Sequence, residues 1–328
     1  MPDLYGVMVT FRRPREMADA LRRVLGQSLA LRCLYVVDND PSAESERAVR
    51  GAAENGRVRV EYLAAPENLG PAGGWALGTA AVLQQAEDAD WVLNLDDNNP
   101  PEQPTELEQV FHFALQQGSH RPHLGGVAIG GARFNWRSGR IERVPDAELN
   151  GAVLVDYLPG GHLSMYQVCA IRDAGSFAGD LFFGGVEVEY GLRLRRAGYT
   201  LLAHGELWLA RRDHWNRRDV QVQPSRMCSI HWQRYYRIRN YVAMMRRFGR
   251  GDLALRWAAI QCLAKPAWSC LHSPRLGWQG FRQASRACWH AYTGRMGRTV
   301  DPPAGASQRD YLLTCGPNRS GNDENHST

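Results

Sequence analysis

Residues 91–104 read WVLNLDDNNPPEQP. A mostly apolar run, WVLNL, leads into two carboxylates, Asp96 and Asp97. Two amides follow, Asn98 and Asn99, and Pro100 and Pro101 then bar the chain from continuing as a helix. A short apolar run bounded by turn residues is the pattern of a buried strand. Carboxylates at the end of such a strand can meet a metal ion or a phosphate, because Mg or Mn takes hard oxygen ligands. Asp and Asn also form plain turns and caps readily, and the motif alone leaves both readings open.

Toward the N-terminus the same texture repeats. YGVMVT (5–10), CLYVV (33–37) and VRVEYL (58–63) read as buried strands. A helix opened by Pro14 carries Met17, Ala20, Leu21, Val24 and Leu25 at helical spacing and ends at Gly26. A second helix is expected over 43–53. NLGPAGGW (68–75) reads as a glycine-rich loop before a helix at about 75–86. Beyond the prolines, Thr105 and Glu108 have capping-box spacing for a helix through Leu115. Alternating strands and helices predict an α/β fold, a Rossmann-like and mostly parallel sheet with helices on both faces. Ligands of such sheets sit at the carboxyl ends of the strands, where Thr10, Asp38 and Asp96 fall.

From 120 to 210 the expected strands are GGVAIG (125–130), AVLV (152–155) and ELWLA (206–210), with a helix over about 186–197. A helix from about 229 carries Tyr235, Ile238, Val242 and Met245 on one stripe. The expected organisation is one domain over 1–228, with a nucleotide-sugar half at 1–100 and an acceptor half at 101–228. A helical extension over 229–314 and a disordered tail over 315–328 complete it.

The chain has 328 residues, 44% hydrophobic and 22% charged, with a net charge of +5. Residues 211–250 hold eleven Arg against Asp213 and Asp219, a basic segment suited to phosphates or anionic lipid. Seven scattered Cys with no C-x-x-C spacing point to neither a disulfide framework nor a zinc site. MPDLYGVMVT lacks the pattern of a signal peptide, and no run reaches the ~18 apolar residues of a membrane span. The expected location is the cytoplasm. Residues 253–300 alternate Arg with Trp, Leu and Phe, which predicts peripheral contact at the inner face of the cell membrane. No nucleic-acid module motif occurs, so nucleic acid is not an expected partner.

In FFGGVEVEYGLRLRRAGY (182–199), Glu187 and Glu189 follow a Gly-Gly where a loop becomes a helix. Acids there favour the helix dipole; a carboxylate in an apolar cleft can also have its pKa raised and serve as a general base. In ARRDHWNRRD (210–219), His214 follows an expected strand, flanked by arginines.

Taken together and in order, these segments resemble family 2 glycosyltransferases of the GT-A fold, in the galactofuranosyl- and rhamnosyltransferase-like branch. The segments are VTFRRP, VVDND, ENLGPAGGW, NLDDNNPP, FFGGVEVEYGLRLRRAGY, DHW and RYYRIRN, and the likeness covers about residues 4–248. It implies transfer of a sugar, with inversion, from a nucleotide diphosphate sugar (UDP- or dTDP-linked) to a hydroxyl acceptor that could be lipid-linked. It further implies Glu187 as general base and Glu189 as a second acid toward the acceptor. Thr10, Arg13, Asp38, Asn39, Asn68, Gly73, Trp75 and Asp97 would hold the nucleotide sugar. Asp96, Asn98 and His214 would hold a Mg or Mn ion. Two positions depart from the family: Asn98 stands where an Asp is usual, which weakens the expected metal site, and Val186 where an acid precedes the base. The alternatives are a nucleotidyltransferase on a similar sheet, whose glycine-rich opening VTFRRP matches poorly, and a catalytically impaired or non-enzymatic anion-binding protein.

Overall fold

A computed structural model of the chain describes residues 1–53, 57–220, 225–229 and 231–301. The expected tail at 315–328 and the far end of the helical extension lie outside the described residues.

The first half runs β1 (Leu4–Thr10), α1 (Pro14–Leu25), β2 (Cys33–Asp38), α2 (Ala43–Ala53), β3 (Arg59–Ala64), α3 (Gly70–Leu83), β4 (Trp91–Asp96) and α4 (Glu106–His120). Every residue of β1 and β2 is buried. An unbroken buried run marks a parallel strand covered on both faces. The second half runs β5 (Leu124–Ala128), β6 (Arg133–Asn135), β7 (Arg140–Glu142), β8 (Ala152–Val155), β9 (Ser164–Gln167), α5 (Val168–Ala174), α6 (Val186–Arg196), β10 (Thr200–His204) and α7 (Gly205–His214). Four helices follow: α8 (Trp232–Arg247), α9 (Gly251–Ala259), α10 (Lys265–His272) and α11 (Pro274–Tyr292), with one π-turn, Ile260–Ala264, between α9 and α10.

Eight strands form one sheet in the order β3-β2-β1-β4-β9-β5-β10-β8. The pairs β1–β2, β1–β4, β2–β3 and β5–β10 are parallel, whereas β9 runs antiparallel between β4 and β5, and β8 antiparallel to β10. The chain order reverses between β1 and β4, the switch point at which such sheets open a crevice. A second core joins α8, α9 and α11 to Phe182, Phe183, Val188 and Leu192.

Two expectations are corrected. ELWLA (206–210) is not a strand but the middle of α7; the strand is Thr200–His204 just before it. Trp208, Arg211 and Arg212 are buried at helical spacing, and the four-residue apolar run 207–210 is too short to reveal that period. The glycine-rich stretch is also not a loop throughout. α3 starts at Gly70, with Pro71 in its first turn, so Gly73, Gly74 and Trp75 are helical.

Candidate functional site

Register brings the strand ends together. Thr10 pairs with Asp38, and Val9 with Asp96, so Thr10, Asp38 and Asp96 share the carboxyl edge of the sheet. Asp38 is fully buried and accepts from the Tyr62 hydroxyl at 2.9 Å and the Asp40 amide at 3.0 Å. Asn39 receives the Leu69 amide at 3.0 Å and donates to the Gly70 carbonyl at 3.2 Å, while Asn68 accepts from the Gly70 amide at 2.9 Å. These bonds stitch the start of α3 to the sheet edge. Between them opens a small cleft lined by Thr10, Asn39, Asn68, Gly70, Phe182 and Phe183, among others.

Asp97 turns inward. Its carboxylate accepts from the Thr10 hydroxyl at 2.8 Å and lies 3.4 Å from the Arg13 guanidinium. Burial pushes its pKa up to about 7, with the Asp96 charge adding to the rise and Thr10 and Arg13 opposing it. Arg13 also donates to Asn98 Oδ1. Asp96 forms an Asx turn: its Oδ1 accepts from the Asn99 amide at 2.8 Å and the Asn98 amide at 3.0 Å. Burial raises the Asp96 pKa against those donors.

The opposite wall comes from α6. A methyl group built on Gly160 would stand 3.2 Å from Glu187 Oε1, 3.4 Å from Trp75 and 3.7 Å from Asp96 Oδ2. The two carboxylate oxygens are therefore no farther apart than the Glu187 and Asp96 distances combined, across a point where a side chain would crowd them. Trp75 is fixed there by donating to the Leu95 carbonyl at 3.3 Å. Burial raises the Glu187 pKa and Asp96 raises it further, while the backbone N–H groups of Glu187 and Gly160 hold it down. The arrangement is a buried carboxylate, Glu187, facing a strand-end acid, with Arg13 and the pinned start of α3 beside them.

The structure thus gathers Thr10, Arg13, Asp38, Asn39, Asn68, Gly73, Trp75, Asp96, Asp97, Asn98 and Glu187 at one sheet edge. Two expected residues are not gathered there. Glu189 follows Glu187 by two positions, about 200° around the helix, and both its oxygens are taken by Arg193, at 2.9 and 3.0 Å. It is an ion-pair partner of Arg193 within α6. His214 ends α7 with its side chain 70% exposed, 3.8 Å from Glu102. It stands on a helix rather than a strand-following loop, because α7 replaces the expected strand.

That bears on the cation. Asn98 Oδ1 is engaged by Arg13 and His214 turns to Glu102, so of the expected ligand set only Asp96 Oδ2 faces the cleft. Among the described residues no group of three or more His, Cys, Asp or Glu is gathered for a metal. The residues present do not make a cation site by themselves.

Sequence reasoning missed Gly160, which the apolar-period reading passes over as one more glycine in PGGH (159–162). It also missed what Arg239 and Asn240 in RYYRIRN do. Both are buried polar residues of α8, and a polar pair on a buried helix face was the available signal.

No protein-family model matches the chain. Its sequence is 30% identical over 202 residues to galactofuranosyltransferase GlfT1 of Mycobacterium tuberculosis, a match covering 60% of this chain and 65% of the relative. It is 37% identical over 207 residues to GlfT1 of Mycolicibacterium smegmatis, covering 58% and 65%. The chain thus spans just under two thirds of the length of the curated relatives it matches. Among solved structures it is similar to mannosyltransferase PcManGT from Pyrobaculum calidifontis in complex with GDP-Man and Mn2+, with TM-score 0.51 and 16% identity over 96% of this chain and 79% of that one. It is also similar to S. aureus TarS 1–349 in complex with UDP-GlcNAc, with TM-score 0.50 and 12% identity over 88% and 81%. The fold is of the GT-A type, and the resemblance to the galactofuranosyltransferase-like branch of the glycosyltransferases holds.

Proposed function

We propose that the chain transfers a sugar from a nucleotide diphosphate sugar to an acceptor hydroxyl, with inversion, and that Glu187 is the general base. The observation that carries this is the convergence of Glu187, Asp96 and Trp75 on the open point at Gly160. Inversion needs the attacking oxygen and the departing diphosphate on opposite faces of the sugar. Glu187 on one wall and the Arg13–Asp97–Asp96 edge on the other supply those two sides. A carboxylate whose pKa burial has raised is a stronger base toward the acceptor proton. The Arg13 guanidinium meets the charge growing on the diphosphate. Asn39, Asn68 and the first turn of α3 line the nucleotide side, and a UDP- or dTDP-sugar is the donor class to try first. A divalent cation joining the diphosphate would have to draw most of its ligands from the diphosphate itself.

Nucleotide-sugar binding by thermal shift, followed by turnover, tests the reading. Glu187→Gln removes a proton acceptor and little volume, so donor binding should survive while kcat falls on the order of 10²–10⁴-fold. Normal turnover in that variant removes Glu187 from the base role.

The acceptor is proposed to lie at a membrane surface. From 253 to 300 the chain holds Arg256, Lys265, Arg275, Arg282, Arg286, Arg295 and Arg298 and not one Asp or Glu. Leu255, Leu263 and Leu271 are exposed at eight-residue spacing along α9 to α10, and Trp278 and Trp289 are exposed on α11. A second copy of the chain would set like charges against each other there; an anionic bilayer would not. No helix among the described residues is long and apolar enough to cross a membrane, so the contact would be interfacial.

A further inference from the structure

The turn that delivers Glu187 is strained. Phe182 has φ +59°, and Gly184 and Gly185 have φ +76° and +78°. A non-glycine residue at positive φ costs energy and persists only where its surroundings hold it, so the strain sits at Phe182, while the two glycines take up positive φ at little cost. Three carbonyls of this turn point toward α8. There the Asn240 side-chain amide donates to the Leu181, Phe183 and Gly184 carbonyls at 2.9, 2.8 and 2.8 Å, two N–H bonds spread over three acceptors. Asn240 is itself held, its Oδ1 accepting from Arg239 Nε at 2.9 Å. Arg239, completely buried, also donates to the Leu181 carbonyl at 2.9 Å and anchors at the Gly297 carbonyl and the Thr299 hydroxyl at 2.6 and 3.0 Å. The same turn reaches the donor side, because the Phe182 carbonyl accepts from the Ala72 amide at 3.3 Å.

We infer that Asn240, backed by Arg239, is a positioning residue for Glu187: it fixes the strained 181–185 turn and thereby sets where the base stands relative to Asp96 and the start of α3. This rests on the proposed role of Glu187. Asn240 touches neither substrate nor the reacting atoms; it acts only through the turn. It gives the Arg-Asn pair of RYYRIRN a task that packing alone does not require, since Leu at position 240 would fill similar space without aligning carbonyls.

Asn240→Asp keeps the shape and replaces the donor by a carboxylate facing three carbonyl oxygens. Gly184→Ala loosens the same turn from the other side. Its added methyl would meet nothing closer than Arg237 Cγ at 3.6 Å, so its effect is backbone strain and not a clash. Each variant is taken through circular dichroism, donor binding and the pH profile of kcat. A base displaced by about 1 Å loses about 10²-fold in kcat. It also leaves the dry site between Asp96 and Tyr166, the titratable groups that face it. The acidic limb of the profile should therefore move to lower pH, toward the ordinary carboxylate range, in at least one folded variant. A variant that is merely less folded loses rate equally at every pH. Folded variants with wild-type kcat, or a loss uniform across pH, overturn the inference. Glu187→Gln keeps the two questions apart: if it turns over normally, the base assignment fails, whereas if it is inactive and both turn variants behave as wild type, only the positioning role fails.

Discussion

Asp97 sits in an environment that its sequence context does not announce. In water an Asp titrates near 3.8; here burial lifts it to about 7, and only the Thr10 hydroxyl and Arg13 oppose the shift. Between those two values the folded chain binds a proton that the unfolded chain has released. Stability contributed by the protonated form is complete below 3.8 and is lost as pH rises through about 7. Asp97→Asn should therefore flatten the pH dependence of the melting temperature of the ligand-free chain. At pH 8 it should melt a few degrees higher, the scale of about 1 kcal/mol for a chain of this size. An unchanged slope between pH 4 and 8 would count against the buried acid. That Asp96 and Asp97 sit at the end of a buried strand and Glu187 at the start of a helix was legible from local pattern. That Glu189 pairs with Arg193 and that Asn98 serves Arg13 was not, because the direction of a side chain depends on neighbours more than eighty residues away or on the turn of a helix.

At the scale of elements, the strands of the first half were read well, and those of the second half and the glycine-rich stretches less so. The strands of the first half are continuous apolar runs, which leave little choice. α3 is apolar on all sides and studded with glycines, so no amphipathic stripe announces it. The reason is packing: a methyl on Gly78 would lie 2.3 Å from Val7 Cγ1 and 3.1 Å from Val37 Cγ2. Glycine lets α3 lie close on β1 and β2, and this keeps Trp75 and the pinned first turn at the crevice. Gly78→Ala should lower stability by about 1–3 kcal/mol in urea unfolding through overpacking, despite the ~1 kcal/mol that Ala normally gains over Gly inside a helix. A stabilised variant would mean that the helix sits farther from the sheet. α7 escaped notice for a related reason, since four apolar residues carry too little period to separate strand from helix.

At the scale of the whole molecule, the C-terminal helices turn Leu255, Leu263, Trp268, Leu271, Trp278 and Trp289 outward from a segment without acids. The chain should cosediment with vesicles containing an anionic lipid and release from them at high salt, as screening weakens the basic residues' share. Trp278→Ala with Trp289→Ala should reduce binding several-fold at fixed salt. No binding to either vesicle would remove the membrane contact, equal binding to neutral and anionic vesicles would remove the basic residues' share in it, and a concentration-dependent dimer would point to a second copy instead. The sequence by itself determined the parallel half of the sheet, the acids at its edge and the order of the motifs, because these follow from local pattern: buried runs, turn residues and spacing. Only the tertiary structure decided that β9 would enter the sheet antiparallel between β4 and β5, that Glu187 would face Asp96 across Gly160, and that an amide on α8 would hold the turn between them. Those outcomes depend on contacts between residues far apart in the chain, and such contacts are set by how whole layers pack and by which buried polar groups can find one another.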